Sequence, residues 1–343
     1  METRMDVAQE RSQALARLPR LGFGGAAVGN LYAAVSDVDA RAVIDAALAA
    51  GIRYFDTAPH YGFGLSETRH GQALSGREVM ISTKVGRILE PIASPARERH
   101  GFVDAAPLEP VFDYSYDGVM RSFEASLRRL QRDRVDILLA HDLGRLTHGE
   151  AHPGHMRAFL DGGYKAMREL KDAGLVGAIG LGVNEQAVCD EALDHADLDV
   201  FLLAGRYTLL EQTALDGFLP RCERRGVKII VGGPFNSGAL VETPGGGPIH
   251  YNYAPADAGI VARVERLRAV CAAHGAPLAA AALQFPLAHP AAACVIPGMA
   301  SPAQVADAVA WTQTPVPEAL WSDLRAEGLL HPAAPTPVAR AAA

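Results

Sequence analysis

The chain has 343 residues, a hydrophobic content of 49% and a formal net charge of −7. This length suits one large α/β domain or two average ones, and the hydrophobic fraction provides for a sizeable core. Acidic and basic residues are mixed along the chain without a lysine- or arginine-rich stripe, which argues against a nucleic-acid partner.

The amino-terminal segment and the cysteines bear on where the protein works. The opening sequence METRMDVAQERSQALARLPR is charged and lacks the apolar core of a secretory signal. No apolar run approaches the roughly 20 residues that span a bilayer. The four cysteines form no CxxC pair, as is usual for buried thiols in a reducing compartment. We therefore expect a cytoplasmic protein with no membrane partner and with flexible termini at residues 1–17 and 332–343.

Short apolar runs alternate with longer segments of helical spacing along the whole chain. We predict eight strands, at Arg20–Gly24, Arg53–Asp56, Val79–Lys84, Val135–Ala140, Ala178–Val183, Val200–Leu203, Lys228–Val231 and Cys294–Ile296. Near-continuous apolar strands indicate a parallel sheet that is buried on both faces. Eight βα units favour a closed (β/α)8 TIM barrel, one domain over residues 18–331. An open doubly wound sheet is the alternative, although no GxGxxG follows the first strand.

Helical spacing and capping residues predict helices between the strands and after the last one. They are Asp37–Ala50, Ser66–Leu74, Tyr116–Leu130, Phe159–Ala173, Gln186–Ala196, Glu211–Arg225, Asp257–His274, Pro302–Trp311 and Pro317–Gly328. Long loops interrupt this rhythm after strands three (Gly86–Ser115), four (His141–Asp161) and seven, where Gly245–Gly247 suggests a cofactor lid. Long loops that follow barrel strands lie over the carboxyl-terminal mouth and are usually functional.

Polar side chains follow three consecutive predicted strands. Asp56 ends the second strand with Tyr61 shortly after it, Lys84 ends the third, and His141 follows the fourth. In a barrel these strand ends meet at one mouth, so the four groups can converge. A lysine ammonium favours the phenolate form of a nearby tyrosine, and a carboxylate can balance the lysine. The set predicts a proton-transfer site, and hydride transfer would require a nicotinamide cofactor.

Four segments resemble the aldo-keto reductase superfamily, in the order in which that family has them. They are G-I-R-Y-F-D-T-A-P-H-Y-G (Gly51–Gly62), I-S-T-K-V-G (Ile81–Gly86), V-D-I-L-L-A-H-D (Val135–Asp142) and V-I-P-G (Val295–Gly298). The resemblance runs from about Leu18 to about Trp311. It implies a (β/α)8 barrel with a catalytic tetrad of Asp56, Tyr61, Lys84 and His141. Tyr61 would be the acid/base, Lys84 and Asp56 would tune it, and His141 would orient the substrate oxygen.

The resemblance also implies a set of cofactor contacts. They fall on Asn184, Tyr207, Pro234, Phe235, Ser237, Gly238, Leu240, Gly298 and Gln304. Asn184 can hydrogen-bond a carboxamide, and backbone amides from Phe235 to Leu240 are expected at the pyrophosphate. The aromatic that usually stacks on nicotinamide is replaced by Gly232, with Phe235 or Tyr207 as candidate substitutes. Gly298 and Gln304 stand where NADP-using relatives have lysine and arginine, so we expect NAD in preference to NADP.

Two further segments and one residue pair narrow the resemblance to a branch. G-L-S-E-T-R-H-G (Gly64–Gly71), V-F-D-Y-S-Y-D-G-V-M-R-S (Val111–Ser122) and His141-Asp142 are similar to D-threo-aldose 1-dehydrogenases (L-fucose and L-galactose dehydrogenase type) and pyridoxal 4-dehydrogenases. This implies NAD-dependent oxidation of an aldose such as L-fucose, L-galactose or D-arabinose at C1 to the lactone, which we favour over oxidation of pyridoxal to 4-pyridoxolactone.

The predicted substrate contacts divide according to these two substrates. Phe63, Asp142 and Arg145 are the principal candidates. For a sugar, Asp113 and His148 add polar groups, since unpaired buried donors are costly. For pyridoxal, Phe112 and Tyr114 could join Phe63 in an aromatic wall.

Two other functions stay open. An NADPH-dependent aldehyde or ketone reductase is disfavoured by uncharged Gly298 and Gln304, and a non-catalytic nucleotide-sensing subunit by the complete tetrad. The histidines His148, His152 and His155 have loose spacing and no carboxylate or cysteine at ligand spacing, so we predict no metal site and a solvated or lid loop there. The sequence leaves the oligomeric state open.

Overall fold

The computed structural model describes residues 15–241, 247–252 and 254–338. Within them, one sheet contains eight parallel strands whose spatial order follows the chain. They are β1 Phe23–Gly24, β2 Tyr54–Asp56, β3 Met80–Val85, β4 Val135–His141, β5 Val176–Val183, β6 Val200–Ala204, β7 Lys228–Gly232 and β8 Ala292–Ile296. Every predicted strand is therefore confirmed, with differences only at the ends.

The sheet closes between its first and last strands. Parallel bridges join Leu21 to Val295 and Gly24 to Gly298. The backbone N–H of Gly22 donates to the carbonyl of Val295 at 2.9 Å. Closure leaves no open edge between β1 and β8, which confirms the predicted (β/α)8 barrel.

Helices surround the barrel. They are α1 Asp37–Ala49, α2 Leu65–Leu74, α3 Tyr116–Leu130, α4 Arg145–His148, α5 His152–Ala158, α6 Tyr164–Asp172, α7 Ala187–His195, α8 Phe218–Arg225, α9 Ala258–Ala273, α10 Leu278–Gln284, α11 Pro302–Gln313 and α12 Glu318–Ala326. Side chains cap several starts by accepting from a backbone N–H: Ser36 at α1, Ser115 at α3, Asp257 at α9 and Ser301 at α11. Such caps satisfy first-turn donors and fix where each helix begins.

Two helical segments differ from the prediction. The helix predicted over Glu211–Arg225 is a 3₁₀ turn at Thr213–Asp216 followed by α8, because Gly217 interrupts the helical backbone between them. Helix α10 is absent from the predicted elements, since its alanine run lacks the periodic apolar pattern that marks an amphipathic helix.

The connections after β3 and β4 contain strands and helices that were not predicted. Strands Arg87–Pro91 and Leu108–Phe112 pair antiparallel into a hairpin, and Glu98–Arg99 pairs with Phe102–Val103 near its tip. We call residues 87–112 the β3 hairpin. The segment after β4 forms α4, a 3₁₀ turn at Gly149–Ala151 and α5. The prediction of structureless loops is wrong in both places. After β7, Gly245 and Gly246 of the predicted lid lie outside the described residues.

The packed domain extends beyond the predicted range of 18–331. Leu15 is buried and joins Tyr54 and Ile137 in an apolar cluster. Ala334 is also buried, and its carbonyl accepts from the Arg325 side chain at 2.9 Å. The predicted flexible termini therefore include residues that pack on the core, because an apolar side chain at each end finds a buried site.

No single helix within the described residues is long and apolar enough to cross a membrane. One broken pair, Ala258–Ala273 with Leu278–Ala288, passes the same test of length and composition but bends by 102°. Both halves contribute buried side chains to the main core, among them Val264 and Leu283.

Candidate active site

Lys84 lies at the centre of the barrel mouth and is 1% exposed. Its Nζ donates to the two carboxylate oxygens of Asp56 at 3.0 and 2.8 Å, to the Thr57 carbonyl at 2.9 Å and to the Tyr61 hydroxyl at 3.1 Å. Space for the lysine side chain depends on Gly182, where a Cβ would lie 3.1 Å from Lys84 Cε. The structure thus brings together three of the four predicted catalytic groups.

Asp56 is the buried counter-ion of Lys84. It also accepts a hydrogen bond from the Ser82 hydroxyl at 2.7 Å, and Ser82 in turn bonds the Tyr54 hydroxyl at 2.8 Å. Burial raises the pKa of the Asp56 carboxyl above its usual range, while the Lys84 ammonium and the Ser82 hydroxyl oppose that shift. These contacts fix the carboxylate, and the carboxylate fixes the ammonium that faces Tyr61.

Tyr61 is half-buried on the turn between β2 and α2. Gly62 and Phe63 follow it with φ of 65° and 55°, in the left-handed region. A Cβ at Gly62 would lie 2.4 Å from the Gly29 carbonyl oxygen, so glycine is required there. This turn places the tyrosine ring with its centroid 4.5 Å from Lys84 Nζ.

His141 ends β4, and its ring stands edge-on to that of Tyr61 with centroids 5.9 Å apart. Burial, together with the positive charges of Arg87 and Lys84, lowers the pKa of His141 well below its ordinary value. The imidazole is therefore neutral at physiological pH and keeps one N–H to donate. Its Nδ1 is buried with no hydrogen-bond partner among the described residues. The fourth predicted catalytic group thus lies beside the other three.

Asp142, a predicted substrate contact, has protein partners. It accepts hydrogen bonds from Arg87 Nη2 at 2.5 Å and from Asn184 Nδ2 at 3.2 Å. Burial raises the pKa of the Asp142 carboxyl, and the Arg87 guanidinium opposes the shift. Sequence reasoning missed Arg87, although the search for polar residues after each strand would have included it, since it lies two residues after β3.

The other two predicted substrate contacts do not line the cavity described below. Phe63 is fully buried, with the Arg99 guanidinium 4.3 Å from its ring centroid. Its ring stays outside the cavity, because its left-handed backbone turns the ring into the protein. Arg145 is solvent-exposed on α4.

Aromatic rings lie beside Tyr61, but they are not the predicted ones. Phe102, near the tip of the β3 hairpin, has its ring centroid 6.3 Å from that of Tyr61 and 5.3 Å from that of His60. Burial, aided by the charge of Arg87, lowers the pKa of His60 to about 2, so its imidazole is neutral. A bridge between Phe102 and Leu31 holds the hairpin against the loop after β1. Sequence reasoning had no signal for Phe102, since its position depends on this long-range pairing.

The other predicted substrate residues are engaged elsewhere. The Tyr114 hydroxyl bonds His148 Nε2 at 3.0 Å, and Asp113 accepts from Arg121 at 2.9 Å. Phe112 lies under the Arg87 guanidinium, 4.7 Å from its ring centroid. Phe112 and Tyr114 thus contact His148 in the helical segment after β4, whereas Asp113 pairs with α3.

The histidine-rich segment is structural. His152 is buried and hydrogen-bonds the Leu143 carbonyl at 3.0 Å and Glu191 at 2.8 Å. The rings of His148 and His155 are tilted by 33° with their centroids 4.0 Å apart. The predicted solvated loop is wrong here, because helical backbone buries His152. No group of three potential metal ligands occurs in the described part of the chain.

A cavity of about 520 Å³ opens at Tyr61 and Asp56 and reaches Trp311 of α11. This volume is within the range of small-molecule sites. Seven of the nine predicted cofactor contacts line it: Asn184, Pro234, Phe235, Ser237, Gly238, Gly298 and Gln304. Sequence reasoning missed Gly24, Gly25 and Trp311, which also line it.

Tyr207 and Leu240 were predicted at the cofactor but do not line the cavity. The Tyr207 ring is fully buried against Phe285 and His289, with centroids 5.6 and 5.7 Å away. The Leu240 side chain is also fully buried, and its N–H donates to the Phe235 carbonyl at 3.2 Å. Both residues lie outside the cavity, because each side chain turns into the core and the Leu240 N–H is used within its own turn.

Phe235 does line the cavity, with its ring edge-on to Trp311 at 5.6 Å between centroids. At Gly232 the cavity wall is bare backbone, and a Cβ there would lie 2.9 Å from Leu202 Cδ2. The amide N–H groups of Asn236 and Ala239 donate within the turn itself, at 3.0 and 3.2 Å. Because these two amides donate within the turn, fewer of the amides predicted from Phe235 to Leu240 remain for a pyrophosphate.

The Trp311 part of the cavity has no charged side chain among the residues that the structure describes. Neither lysine nor arginine lines the cavity over residues 15–241, 247–252 and 254–338. Gln304 Oε1 accepts from the Ala300 N–H at 2.6 Å, which fixes the turn before α11. A Cβ at Gly298 would have nothing within 4 Å. An anion there would meet the amino terminus of α11 but no cation.

The comparisons with known proteins agree over nearly the whole chain. The aldo/keto reductase family profile matches residues 20–326. Pyridoxal 4-dehydrogenase from Microbacterium luteolum is 44% identical over 322 residues, which is 90% of this chain and 94% of that protein. D-threo-aldose 1-dehydrogenase from Pseudomonas sp. is 38% identical over 324 residues, 92% and 95% of the two chains. The holo form of an aldo-keto reductase from Bacillus halodurans superposes with a TM-score of 0.70 and 26% identity, covering 92% and 93%.

Proposed function

Because this chain belongs to the aldo/keto reductase family, we propose that it oxidises a cyclic hemiacetal to a lactone with NAD⁺. The family uses nicotinamide cofactors, and the chain is an oxidoreductase that acts on CH–OH groups. The observation that supports the proposal best is the 3.1 Å hydrogen bond from Lys84 Nζ to the Tyr61 hydroxyl. It couples a phenol at the edge of the cavity to a buried ammonium whose position Asp56 fixes.

Tyr61 acts as the base in this reaction. The Lys84 ammonium stabilises the phenolate, which takes the proton of the hemiacetal hydroxyl as the carbonyl forms. Neutral His141 donates a hydrogen bond to the same oxygen and orients it. Asp56 does not reach the substrate and keeps Lys84 charged and in place. A nicotinamide cofactor held by Asn184 and the cavity between Phe235 and Trp311 would supply the hydride acceptor.

The cavity suits a dinucleotide. Asn184 offers an amide that can pair with the nicotinamide carboxamide, and the bare wall at Gly232 leaves room for a flat ring. Phe235 and Trp311 provide aromatic surface farther along. A 2′-phosphate carries nearly two negative charges and would find no cation beside Gly298 or Gln304, which supports NAD over NADP.

Among hemiacetals, the structure favours pyridoxal over the aldose that the sequence favoured. The polar groups expected to bind sugar hydroxyls, Asp142, His148 and Asp113, have protein partners. A sugar bound without such partners would leave its hydroxyls unpaired, which is costly. The uncharged rings of Phe102 and His60 pack beside Tyr61 and make the surroundings of its ring apolar, which suits an aromatic substrate better than a polyol. The relative with 44% identity is a pyridoxal 4-dehydrogenase, and an aldose stays the second candidate.

The test is a side-by-side assay of NADH formation with pyridoxal, L-fucose, L-galactose and D-arabinose. NADP⁺ serves as the alternative cofactor, and mass spectrometry identifies the product. We expect the highest kcat/KM with pyridoxal and NAD⁺, and a lactone as product. No turnover of any of the four would remove the hemiacetal assignment. Activity confined to NADPH and an aldehyde would favour the reductase alternative.

A further inference from the structure

One buried carboxylate contacts both of the groups that face the two reactants. Asp142 follows the substrate-orienting His141, and an oxygen of Asp142 lies 3.5 Å from His141 Nε2. Its other oxygen accepts from Asn184 Nδ2, the candidate carboxamide contact, at 3.2 Å. The Asp142 side chain is 12% exposed. A single side chain directly after β4 is therefore linked to the substrate side and the cofactor side of the site.

The backbone of Asp142 is held firmly. Its φ of 48° lies in the left-handed region, which a non-glycine residue keeps only when its surroundings determine it. Its N–H donates to the Gly182 carbonyl on β5 at 2.9 Å. The Tyr114 hydroxyl donates to the His141 carbonyl at 2.6 Å and approaches the Asp142 carbonyl at 3.3 Å. The carboxylate is thus attached to a rigid support.

Arg87 neutralises the carboxylate. Its guanidinium pairs with Asp142 at 2.5 Å and lies over the Phe112 ring, and Arg87 itself is buried. A buried charge is retained only when it is paired and hydrogen-bonded. Ion pairing with Arg87 therefore keeps Asp142 ionised between His141 and Asn184.

We propose that Asp142, with Arg87 as its counter-ion, is a positioning residue that sets His141 and Asn184 at a fixed separation. A carboxylate near His141 Nε2 favours the tautomer that has its proton on that nitrogen, so the single N–H of the neutral ring lies at Nε2. The same carboxylate orients the Asn184 amide. Hydride transfer requires the two reacting atoms in a narrow range of distance, so a shared anchor for both contacts affects the rate directly. The proposal rests on the proposed function for the identity of the two reactants.

Asp142→Asn tests the proposal, since asparagine tolerates the left-handed backbone. The amide introduced at position 142 has one acceptor oxygen, and the Arg87 cation would bind it. The NH₂ group of the new amide would then face the Asn184 amide and displace it. We expect the Kd for NAD⁺ to rise roughly 5- to 10-fold and kcat to fall about 10-fold. Changes of this size are usual when residues in contact interact energetically. Quenching of tryptophan fluorescence measures the Kd, because Trp311 lines the cavity.

A double-mutant cycle with Asn184→Ala separates positioning from a general structural effect. If Asp142 acts through Asn184, Asp142→Asn adds no further increase in Kd when Asn184 is already alanine. An equal increase in both backgrounds, or a wild-type Kd in Asp142→Asn, would overturn the proposal. The Kd measurement needs no turnover, so it gives an answer even if no hemiacetal proves to be a substrate.

Asp199→Asn is the matched control. Asp199 is also a buried carboxylate, paired with Lys171 at 2.7 Å, but it precedes β6 at the opposite end of the barrel. We expect Asp199→Asn to lower the melting temperature and to leave the Kd for NAD⁺ and kcat unchanged. If Asp199→Asn raised the Kd as much as Asp142→Asn, the effect at Asp142 would be structural and the positioning role would be refuted.

Discussion

The two ends of the cavity are built in opposite ways. At the Tyr61 end, buried charges are paired with one another: Lys84 with Asp56, and Arg87 with Asp142. At the Trp311 end, no charged side chain lines the cavity within the described residues. One end is defined by ion pairs that fix side chains in position, and the other by backbone, small residues and aromatic rings.

This difference separates the chemistry from the choice of cofactor. A buried ion pair holds its partners rigidly, because removing either one leaves an uncompensated charge. The groups proposed to move a proton are therefore fixed by contacts that tolerate little change. A charge can be added to the cavity surface at the uncharged end without disturbing those contacts. Changes at the two ends should then have different consequences.

The largest effect is expected from Lys84→Met. It removes the charge that stabilises the Tyr61 phenolate, so kcat should fall by roughly 10²- to 10⁴-fold. It also leaves Asp56 buried without its counter-ion, which should cost about 3–5 kcal/mol in the free energy of unfolding. Steady-state kinetics and urea unfolding measure the two losses.

Adding Asp56→Asn to Lys84→Met distinguishes the two losses. The double variant has no buried charge at this position, so most of the stability should return while kcat stays low. Recovery of activity in the double variant would show that Lys84 serves only to balance Asp56.

A smaller effect is expected from His70, which lies beneath the Tyr61 end against Phe23 and Phe55. Burial lowers the pKa of His70 to about 4. Because this is below the unfolded value, the unfolded chain binds the extra proton, and stability is lost as the pH falls from about 6.5 towards 4. Between pH 7 and pH 5 the loss from His70 is about 2 kcal/mol.

His70→Gln removes this titration. In urea unfolding at the two pH values, the variant should lose about 2 kcal/mol less than the wild type. An identical pH dependence of the two proteins would show that His70 titrates normally.

The smallest effect is expected at the uncharged end. Gly298→Lys with Gln304→Arg would place two cations where a 2′-phosphate would lie, and the open space at Gly298 admits a side chain. We expect the Kd for NADP⁺ to fall about 10-fold, equivalent to about 1.4 kcal/mol, with kcat for NAD⁺ little changed.

Gly298→Ala with Gln304→Leu is the neutral control for that pair. It should not improve binding of NADP⁺. If the neutral variant improved it as much as the charged one, or if wild-type enzyme already preferred NADP⁺, the assignment of this end of the cavity would be wrong.

The barrel and the approach of its strand ends were predictable from the sequence. Apolar runs and βα alternation depend on local composition, and barrel closure then places Asp56, Lys84 and His141 at one mouth. Asn184 and Gly298 line the cavity for the same reason, since they follow β5 and β8.

Side-chain directions within turns were not predictable in this way. The sequence suggested three contact residues, Phe63, Tyr207 and Leu240, but the local backbone turns each of their side chains into the core. Phe102 reaches Tyr61 only because distant strands pair into the β3 hairpin. These outcomes depend on tertiary contacts that no local pattern specifies.

We propose Tyr61 as the base in NAD-dependent oxidation of a cyclic hemiacetal. A comparison of wild type and Tyr61→Phe in NADH formation from pyridoxal, with the NAD⁺ Kd measured for both, tests this role. We expect stoichiometric NADH and lactone from the wild type. In Tyr61→Phe we expect turnover to fall by a factor of at least about 10², with an unchanged NAD⁺ Kd. Turnover by Tyr61→Phe at the wild-type rate would refute the role of Tyr61 as the base.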